Sequence, residues 1–341
     1  KGESGTDLAL LTGVSGFIAK HVAVKLLNTG YRRRCTLRRM DRAEEVRAAL
    51  APYLTENAGD LTFVQADLES DAGWADAFQG VTALVHTASP FPIAQPKDPA
   101  VVIRPAVEGT ERVLKAAAAA GVTRVVLTSS VVAVLNESKP DTLQDEADWC
   151  DTHLPTTTPY GKSKTLAERT AWEIAKARGL KLTTINPGFV LGPPLDEHYG
   201  SSLALVERFL KGKDPMLPPM GLPVVDVRDV AEMHLRALQR PETEGRRYIA
   251  ASGSMAFVDM GRTLKAAYPT RRIPTREAPK AIVRLLALFD PEIKSILPKL
   301  GHLERVSNAR AVREMEMEFI APKAALLAAA DWLVRHGRVW A

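Results

Sequence analysis

The sequence predicts an α/β protein: a doubly wound parallel sheet with a smaller, mainly helical C-terminal lobe. Three observations predict it. Short apolar runs alternate with helical patterns from Leu8 to Ala250, and such alternation calls for crossover connections and a parallel sheet. The first run ends in a glycine-rich turn that opens directly into a helix. Beyond about residue 252 the alternation gives way to helices punctuated by Pro269, Pro274, Pro279, Pro291, Pro298 and Pro322.

Taken in order, Asp7-Leu8-Ala9-Leu10-Leu11-Thr12 is a short apolar run of the kind a buried strand shows. It leads into Gly13-Val14-Ser15-Gly16-Phe17-Ile18-Ala19 and a helical pattern that Asn28-Thr29-Gly30 stops. Gly13 permits the tight turn, Gly16 lets a pyrophosphate approach the backbone, and small Ala19 lets helix pack on strand. The anion then sits on the helix N-terminus, where free N–H groups and the helix dipole favour it. Gly13, Ser15, Gly16, Phe17 and Ile18 are the expected contacts. The spacing is G-x-x-G-x-x-A, and its place between strand and helix carries the dinucleotide reading.

A second strand, Arg33-Arg34-Cys35-Thr36-Leu37, ends in Arg38-Arg39. An acid about 20 positions beyond the glycines would hold the adenosine ribose and select NAD. Here that place is basic, and Asp41 comes late. Arg38 and Arg39 can pair with a 2′-phosphate through planar, charge-assisted hydrogen bonds, which points to NADP(H); the plainer alternative is two solvated arginines at a sheet edge. Leu61 to Leu68 is the next strand, with Asp67 and Leu68 at its end; Asp67 either bonds adenine or caps the following helix. Ala83-Leu84-Val85-His86-Thr87-Ala88-Ser89 opens into small residues, so Thr87, Ala88 and Ser89 suit a backbone passing close to a cofactor. His86 reads as a hydrogen-bonded core histidine. A helix from Pro99 to Ala120 closes at Gly121, and Arg124-Val125-Val126-Leu127-Thr128-Ser129-Ser130 is a strand with hydroxyls at its C-terminal end. Ligands of open α/β sheets bind beyond those strand ends.

Thr158-Pro159-Tyr160-Gly161-Lys162-Ser163-Lys164 reads as a helix start. Residues four apart share a helix face, so Tyr160 and Lys164 can present a phenol and an ammonium to one site. A fixed cation within about 4–6 Å draws a phenol's pKa toward working pH, and such a tyrosine can exchange a proton with an alcohol or forming alkoxide. Alone, that spacing also occurs on ordinary surface helices. Lys181 to Asn186 is a further strand closed by Pro187-Gly188, and from Leu191 to Leu222 the composition shifts to Gly, Pro and mixed apolar residues. Strand character returns at Val224 to Val227 and at Arg247 to Ala250, with a helix from Arg228 to Gln239 between them. The late helices are expected to form a lid across the crevice. An apolar substrate pocket is expected from Phe91 and Pro92, Val131, Phe189 and Leu191, and His198, Tyr199, Met216, Met220 and Leu222.

Composition excludes several classes. Hydrophobic content of 46% with 25% charged residues is that of a globular chain. Cys35 and Cys150 offer neither a disulfide framework nor metal spacing and suit a reducing compartment. None of the seven histidines has ligand spacing, so no bound metal is expected. A net charge of +5, spread along the chain, does not argue for nucleic acid. With no apolar run near 18 residues and no signal-like start, the expectation is a cytoplasmic protein with no membrane partner, a monomer or homodimer. The sequence opens at Lys1 without a methionine, so a preceding leader is allowed for.

Seven motifs together resemble the extended short-chain dehydrogenase/reductase superfamily over residues 7–320. They are Thr12-Gly13-x-x-Gly16-Phe17-Ile18-Ala19, Asp67-Leu68, His86-Thr87-Ala88-Ser89-Pro90, Thr128-Ser129-Ser130, Tyr160-x-x-x-Lys164, Asn186-Pro187-Gly188-x-Val190-x-Gly192-Pro193 and Asp226-Val227-x-Asp229-Val230. Within it the chain is most similar to the dihydroflavonol-reductase-like group, which includes microbial ketone and aldehyde (carbonyl) reductases. The resemblance implies a Rossmann-type NADP-binding domain, 1–190 with 223–251, and a substrate-binding lobe, 191–222 with 252–341. It implies Tyr160 as acid/base, Lys164 on the nicotinamide ribose, and Ser130 (with Ser129 as fallback) on the substrate oxygen. Pro187, Gly188 and Val190 would line the nicotinamide, and Thr128 would lie beside the cofactor. The chain departs from the group in three places. Ala106-Val107-Glu108-Gly109-Thr110 lacks the asparagine of sugar-nucleotide epimerases, Val131-Val132-Ala133 is apolar where flavonoid reductases are polar, and Glu316 stands where relatives commonly have glycine. The expected activity is reversible NADPH-dependent reduction of a ketone or aldehyde to an alcohol, on a small apolar substrate. The alternatives are a sugar-nucleotide epimerase or dehydratase, and a non-catalytic NADP-sensing protein.

Overall fold

Alternating apolar runs and amphipathic helices fold here as repeated right-handed crossovers. The computed structural model describes residues 7–88 and 98–339. In chain order the first half runs β1 (Leu8–Thr12), α1 (Phe17–Asn28), β2 (Arg32–Leu37), α2 (Ala43–Leu50), β3 (Leu61–Gln65), α3 (Trp74–Phe78), β4 (Ala83–His86), α4 (Ala100–Ala119) and β5 (Arg124–Thr128). Then come β6 (Leu143–Gln144), α5 (Pro159–Arg178), β7 (Lys181–Pro187), β8 (Phe189–Leu191), α6 (Gly200–Leu210), β9 (Gly221–Asp226), α7 (Val227–Gln239) and β10 (Arg246–Ala250). The remainder is β11 (Gly253–Ala256), α8 (Phe257–Ala267), α9 (Lys280–Leu286), α10 (Pro291–Ile296), β12 (Arg305–Val306), α11 (Ala309–Met315) and α12 (Pro322–Arg335).

Seven strands form one parallel sheet in the order β3-β2-β1-β4-β5-β7-β10. The chain leaves β1 in one direction and returns to β4 on the other side, so the strand order reverses between them. That reversal opens a crevice at the strand C-termini, where ligands of such sheets bind. Side chains alternate across the sheet with a period of two. Leu84 and Val125 enter a core with Trp74, Phe78, Val113 and Leu182. Val85 instead faces a core with Val22, Leu26, Val46 and Leu235.

The structure redraws the C-terminal part. Strand β9 does not join the large sheet; it pairs in parallel with β8 and antiparallel with β11 in a separate three-stranded sheet. This small sheet packs with α6, α8 and α12 around Val206, Phe209, Val224, Phe257, Leu326 and Leu333. The expected uniform lid is therefore split. Helix α11 returns to the large sheet, where Ala311 and Met315 pack with Val126, Ile185 and Tyr248. Glu316 closes α11 in the left-handed region at φ 52°, and among the described residues only this non-glycine residue has positive φ. Its carboxylate pairs with Arg240, and Arg236 donates to the carbonyls of Met315 and Glu316 at 2.6 Å each. Those contacts hold a conformation that usually falls to glycine.

Candidate active site

The glycine turn is built by steric necessity. Gly13 has φ 69°, and a Cβ there would lie 2.9 Å from Ala88 Cα. Gly16 bonds back to Gly13 O at 3.0 Å and opens α1 with no side-chain cap, so the first N–H groups of the helix face the crevice. Thr12 fixes the facing strand end. Its hydroxyl accepts the N–H groups of Thr87 and Ala88, both at 3.1 Å, and meets His86 Nδ1 at 2.7 Å. With both backbone donors on that oxygen, the hydroxyl proton goes to His86. The ring is buried and neutral, its pKa pushed down to about 3 chiefly by burial, as the reading of a core histidine requires.

Helix α5 presents the next group. Thr158 caps it by accepting Gly161 N at 3.1 Å, Pro159 occupies its first turn, and Gly179 ends it in the left-handed region. Ser130 and Tyr160 both line the same cavity, where the Ser130 hydroxyl favours the Tyr160 phenolate. Burial pushes the Tyr160 pKa up, and the Ser130 hydroxyl works against that. Lys164 lies one turn on, with Nζ 5.9 Å from the Tyr160 ring centroid, and burial lowers its own pKa to about 8. In this structure burial dominates and keeps the phenol protonated, the form that can donate.

The glycine turn, Ser130 and Tyr160 share one cavity of about 1300 Å³. Gly13, Gly16, Phe17, Ile18, Thr87, Ser130, Val131, Tyr160, Gly188, Phe189, Val190, Tyr199 and Leu222 line it. A Cβ on Gly188 would lie 2.7 Å from Pro223 O, so the close pass of backbone there requires glycine. Ser15 sits half-buried in the glycine turn, and Pro187 ends β7 beside Gly188.

Other predicted residues are placed elsewhere. Leu191 and Met220 belong to the core of the small sheet, at 0% and 6% exposure, because β8 and β9 turn those side chains inward. His198 stands on the surface, 3.0 Å from Glu45, and Met216 is exposed. The Thr128 hydroxyl is held by His234 Nε2 at 2.6 Å, and Leu68 lies against Gly109 of α4. Asp67 accepts Glu69 N at 3.1 Å, an internal turn bond. Arg39 pairs with Asp41, while Arg38 is exposed at the end of β2. Ser129, the fallback for the substrate oxygen, donates to Glu168 at 2.5 Å and is buried. Ser89, Phe91 and Pro92 lie outside the described residues.

The structure also adds residues that no motif flagged. Ser201 and Ser202 come from the first turn of α6, and Asp290, Ser295, Lys299 and Glu304 from the late helices and the segment after them. Lys299 pairs with Glu304 at 3.1 Å. No local pattern marks them, because their place depends on how the lobe folds back. Among the described residues no helix is long and apolar enough to cross a membrane.

Comparison with known proteins accords with this geometry. Residues 9–251 match the NAD dependent epimerase/dehydratase family. Cinnamoyl-CoA reductase 1 of Petunia hybrida is 36% identical over 277 residues, 79% of this chain and 80% of that protein. Tetraketide alpha-pyrone reductase 1 of Arabidopsis thaliana is 33% identical, covering 87% of this chain and 91% of its own length. The crystal structure of yeast methylglyoxal/isovaleraldehyde reductase Gre2 complexed with NADPH superposes with a TM-score of 0.81 at 25% identity, covering 97% of this chain and 100% of that one. The chain belongs to the NAD dependent epimerase/dehydratase family, as an oxidoreductase of its extended short-chain, dihydroflavonol-reductase-like branch.

Proposed function

We propose that this protein reduces the carbonyl of a ketone or aldehyde to an alcohol with NADPH, reversibly, and that Tyr160 supplies the proton. The observation that carries this reading is that Ser130 and Tyr160 stand together on the wall of the cavity that also holds the glycine turn.

The residues present fit the cofactor. Gly13 and Gly188 make close passes that a Cβ would block, and the uncapped start of α1 offers N–H groups to a pyrophosphate. Gly13 to Ile18 would hold the pyrophosphate, Thr87 and Ala88 the adjoining backbone face, and Lys164 the nicotinamide ribose. Pro187, Gly188 and Val190 would flank the ring, and Arg38 is offered for the 2′-phosphate. The Gre2 structure complexed with NADPH supports that choice. Bound NADPH supplies a hydride to the carbonyl carbon. Tyr160, protonated because burial raises its pKa, gives its proton to the carbonyl oxygen. Ser130 holds that oxygen as charge develops on it. Lys164 lies one helical turn away and offers a cation that favours phenolate once the proton has left.

The walls argue for substrate class. Val102, Val131, Val132, Leu135, Phe189 and Leu222 make the cavity mainly apolar. Among the described residues its charged side chains are Asp290 and Glu304 with Lys299, and acids outnumber the lysine. That balance opposes a nucleoside diphosphate and suits an aryl or alkyl carbonyl with a hydrogen-bonding tail.

Tyr160→Phe tests the reading. It removes one oxygen and keeps the ring, so NADPH binding, followed by fluorescence, should be retained. kcat/KM should fall by about 10²–10⁴, the usual contribution of general acid catalysis. Turnover of a good ketone within threefold of the parent would refute the mechanism.

A further inference from the structure

Tyr160 and Lys164 are followed one turn later on the same face of α5 by Glu168. Its carboxylate is 1% exposed and surrounded by donors. Oε2 accepts the Ser129 hydroxyl at 2.5 Å and Asn186 Nδ2 at 2.7 Å. Oε1 accepts Arg247 Nε at 2.7 Å, with Trp172 Nε1 and Thr184 Oγ1 each at 3.2 Å. Asn186 carries the contact onward, because the same Nδ2 donates to the Ser130 carbonyl at 3.1 Å. Arg247 is itself buried and fully engaged. It donates to the carbonyls of Glu146 and Asp148 at 2.9 and 2.7 Å and lies 3.7 Å from the Trp149 ring centroid.

A purely structural ion pair would need none of the strand-end partners. Here the carboxylate grips the residue before Ser130 through its side chain, and Ser130 itself through Asn186. The orientation of Ser130 decides whether its hydroxyl stays on the phenol. We propose that Glu168, held by Arg247, is a positioning residue that sets Ser130 against Tyr160. The proposal rests on the reading that this pair serves the substrate carbonyl.

Glu168→Gln in the full-length protein with NADPH is the primary test. Glutamine keeps the volume but turns one acceptor oxygen into an NH₂ that faces donors, so the grip on Ser129 or Asn186 is lost. The expected result is a fall in kcat of about ten- to hundredfold, less than outright removal of an oxyanion donor costs. NADPH affinity should stay within about twofold. In the alcohol-oxidation direction, which needs the phenolate, the alkaline rise of the pH–rate profile should move up, because the Ser130 hydroxyl lowers the Tyr160 pKa. A merely structural role would lower Tm and leave the profile of the folded enzyme in place.

Asn186→Ala cuts the link to Ser130 and leaves the Glu168–Arg247 pair intact. It should show the same fall and the same shift, and it decides the matter if Glu168→Gln does not fold. A folded variant with kcat within twofold and an unmoved profile overturns the proposal, as does a loss confined to NADPH affinity. Tyr160→Phe on the same substrate separates the two failures. If Tyr160→Phe is inactive while Glu168→Gln is normal, only the positioning role falls; if Tyr160→Phe is active, the functional reading falls first.

Discussion

Three buried histidines make this fold sensitive to mild acid, and the size of the effect follows from their surroundings. His21 and His234 are pushed down to about 4 and His86 to about 3, chiefly by burial. His234 donates from Nδ1 to Val230 O at 2.7 Å and accepts Thr128 at Nε2, so it has no place for a second proton. In the unfolded chain each ring titrates near about 6.5. Between that value and the folded values the unfolded state binds more protons, so stability falls as pH falls. From pH 7 to pH 5 each histidine removes about 2 kcal/mol of stability. Asp229 opposes them. Burial raises its pKa to about 6, so protonation favours the folded state over the same interval and returns about 1 kcal/mol. Carboxylates with lowered values act below this window, since their unfolded pKa values lie near about 4. The net loss is about 4–5 kcal/mol, a large share of the ~5–15 kcal/mol typical of a folded domain. Urea unfolding at pH 7 and pH 5, read by tryptophan fluorescence, measures it. His234→Gln should cut the loss by about two-fifths. A pH dependence below about 1 kcal/mol would refute the assignment of these rings as buried and neutral.

Two further outcomes are expected. Arg38→Asp should erase or invert a preference for NADPH over NADH, since one charge-assisted pair is worth about 1.5–3 kcal/mol; equal kcat/KM for the two cofactors in the unmodified protein would remove Arg38 from that role. Glu316→Gly should leave stability within about 0.5 kcal/mol, because relief of left-handed strain offsets the loss of an exposed ion pair and the added freedom of the unfolded chain. Glu316→Val should cost about 1–3 kcal/mol in thermal or urea unfolding, since a β-branched residue is poorly suited to that conformation.

What the chain reveals before folding depends on how local each feature is. The glycine turn and the Tyr160 helix are legible because strand, turn and cap are neighbours in sequence, and their physics is complete within about ten residues. The sheet is legible because alternation itself forces parallel crossovers. The buried place of Ser129 is not, for it is set by Glu168 reaching over from α5. Leu191 and Met220 look like pocket walls because they follow a Pro-Gly turn and a composition shift, yet the pairing of β8 with β9 and β11 turns them into core. Lys299 and Glu304 lie far along the chain from Tyr160 and carry no motif. Distance in sequence, not chemistry, hides them.

The split construction of the small sheet bears on how the chain assembles as it is made. Strands β1 to β3 pair with near neighbours in sequence and can form while later residues are still being added. The apolar residues Val206, Phe209 and Leu210 of α6 find only part of their core nearby, in Leu191, Leu217 and Val224. They pack in one core with Ala325, Leu326 and Leu333, which emerge more than a hundred residues later. Until α12 arrives, that core is incomplete. The β1–β5 part of the large sheet is therefore poised to form first, and the lobe built on the small sheet closes last, with the greatest exposure to aggregation in the interval between them.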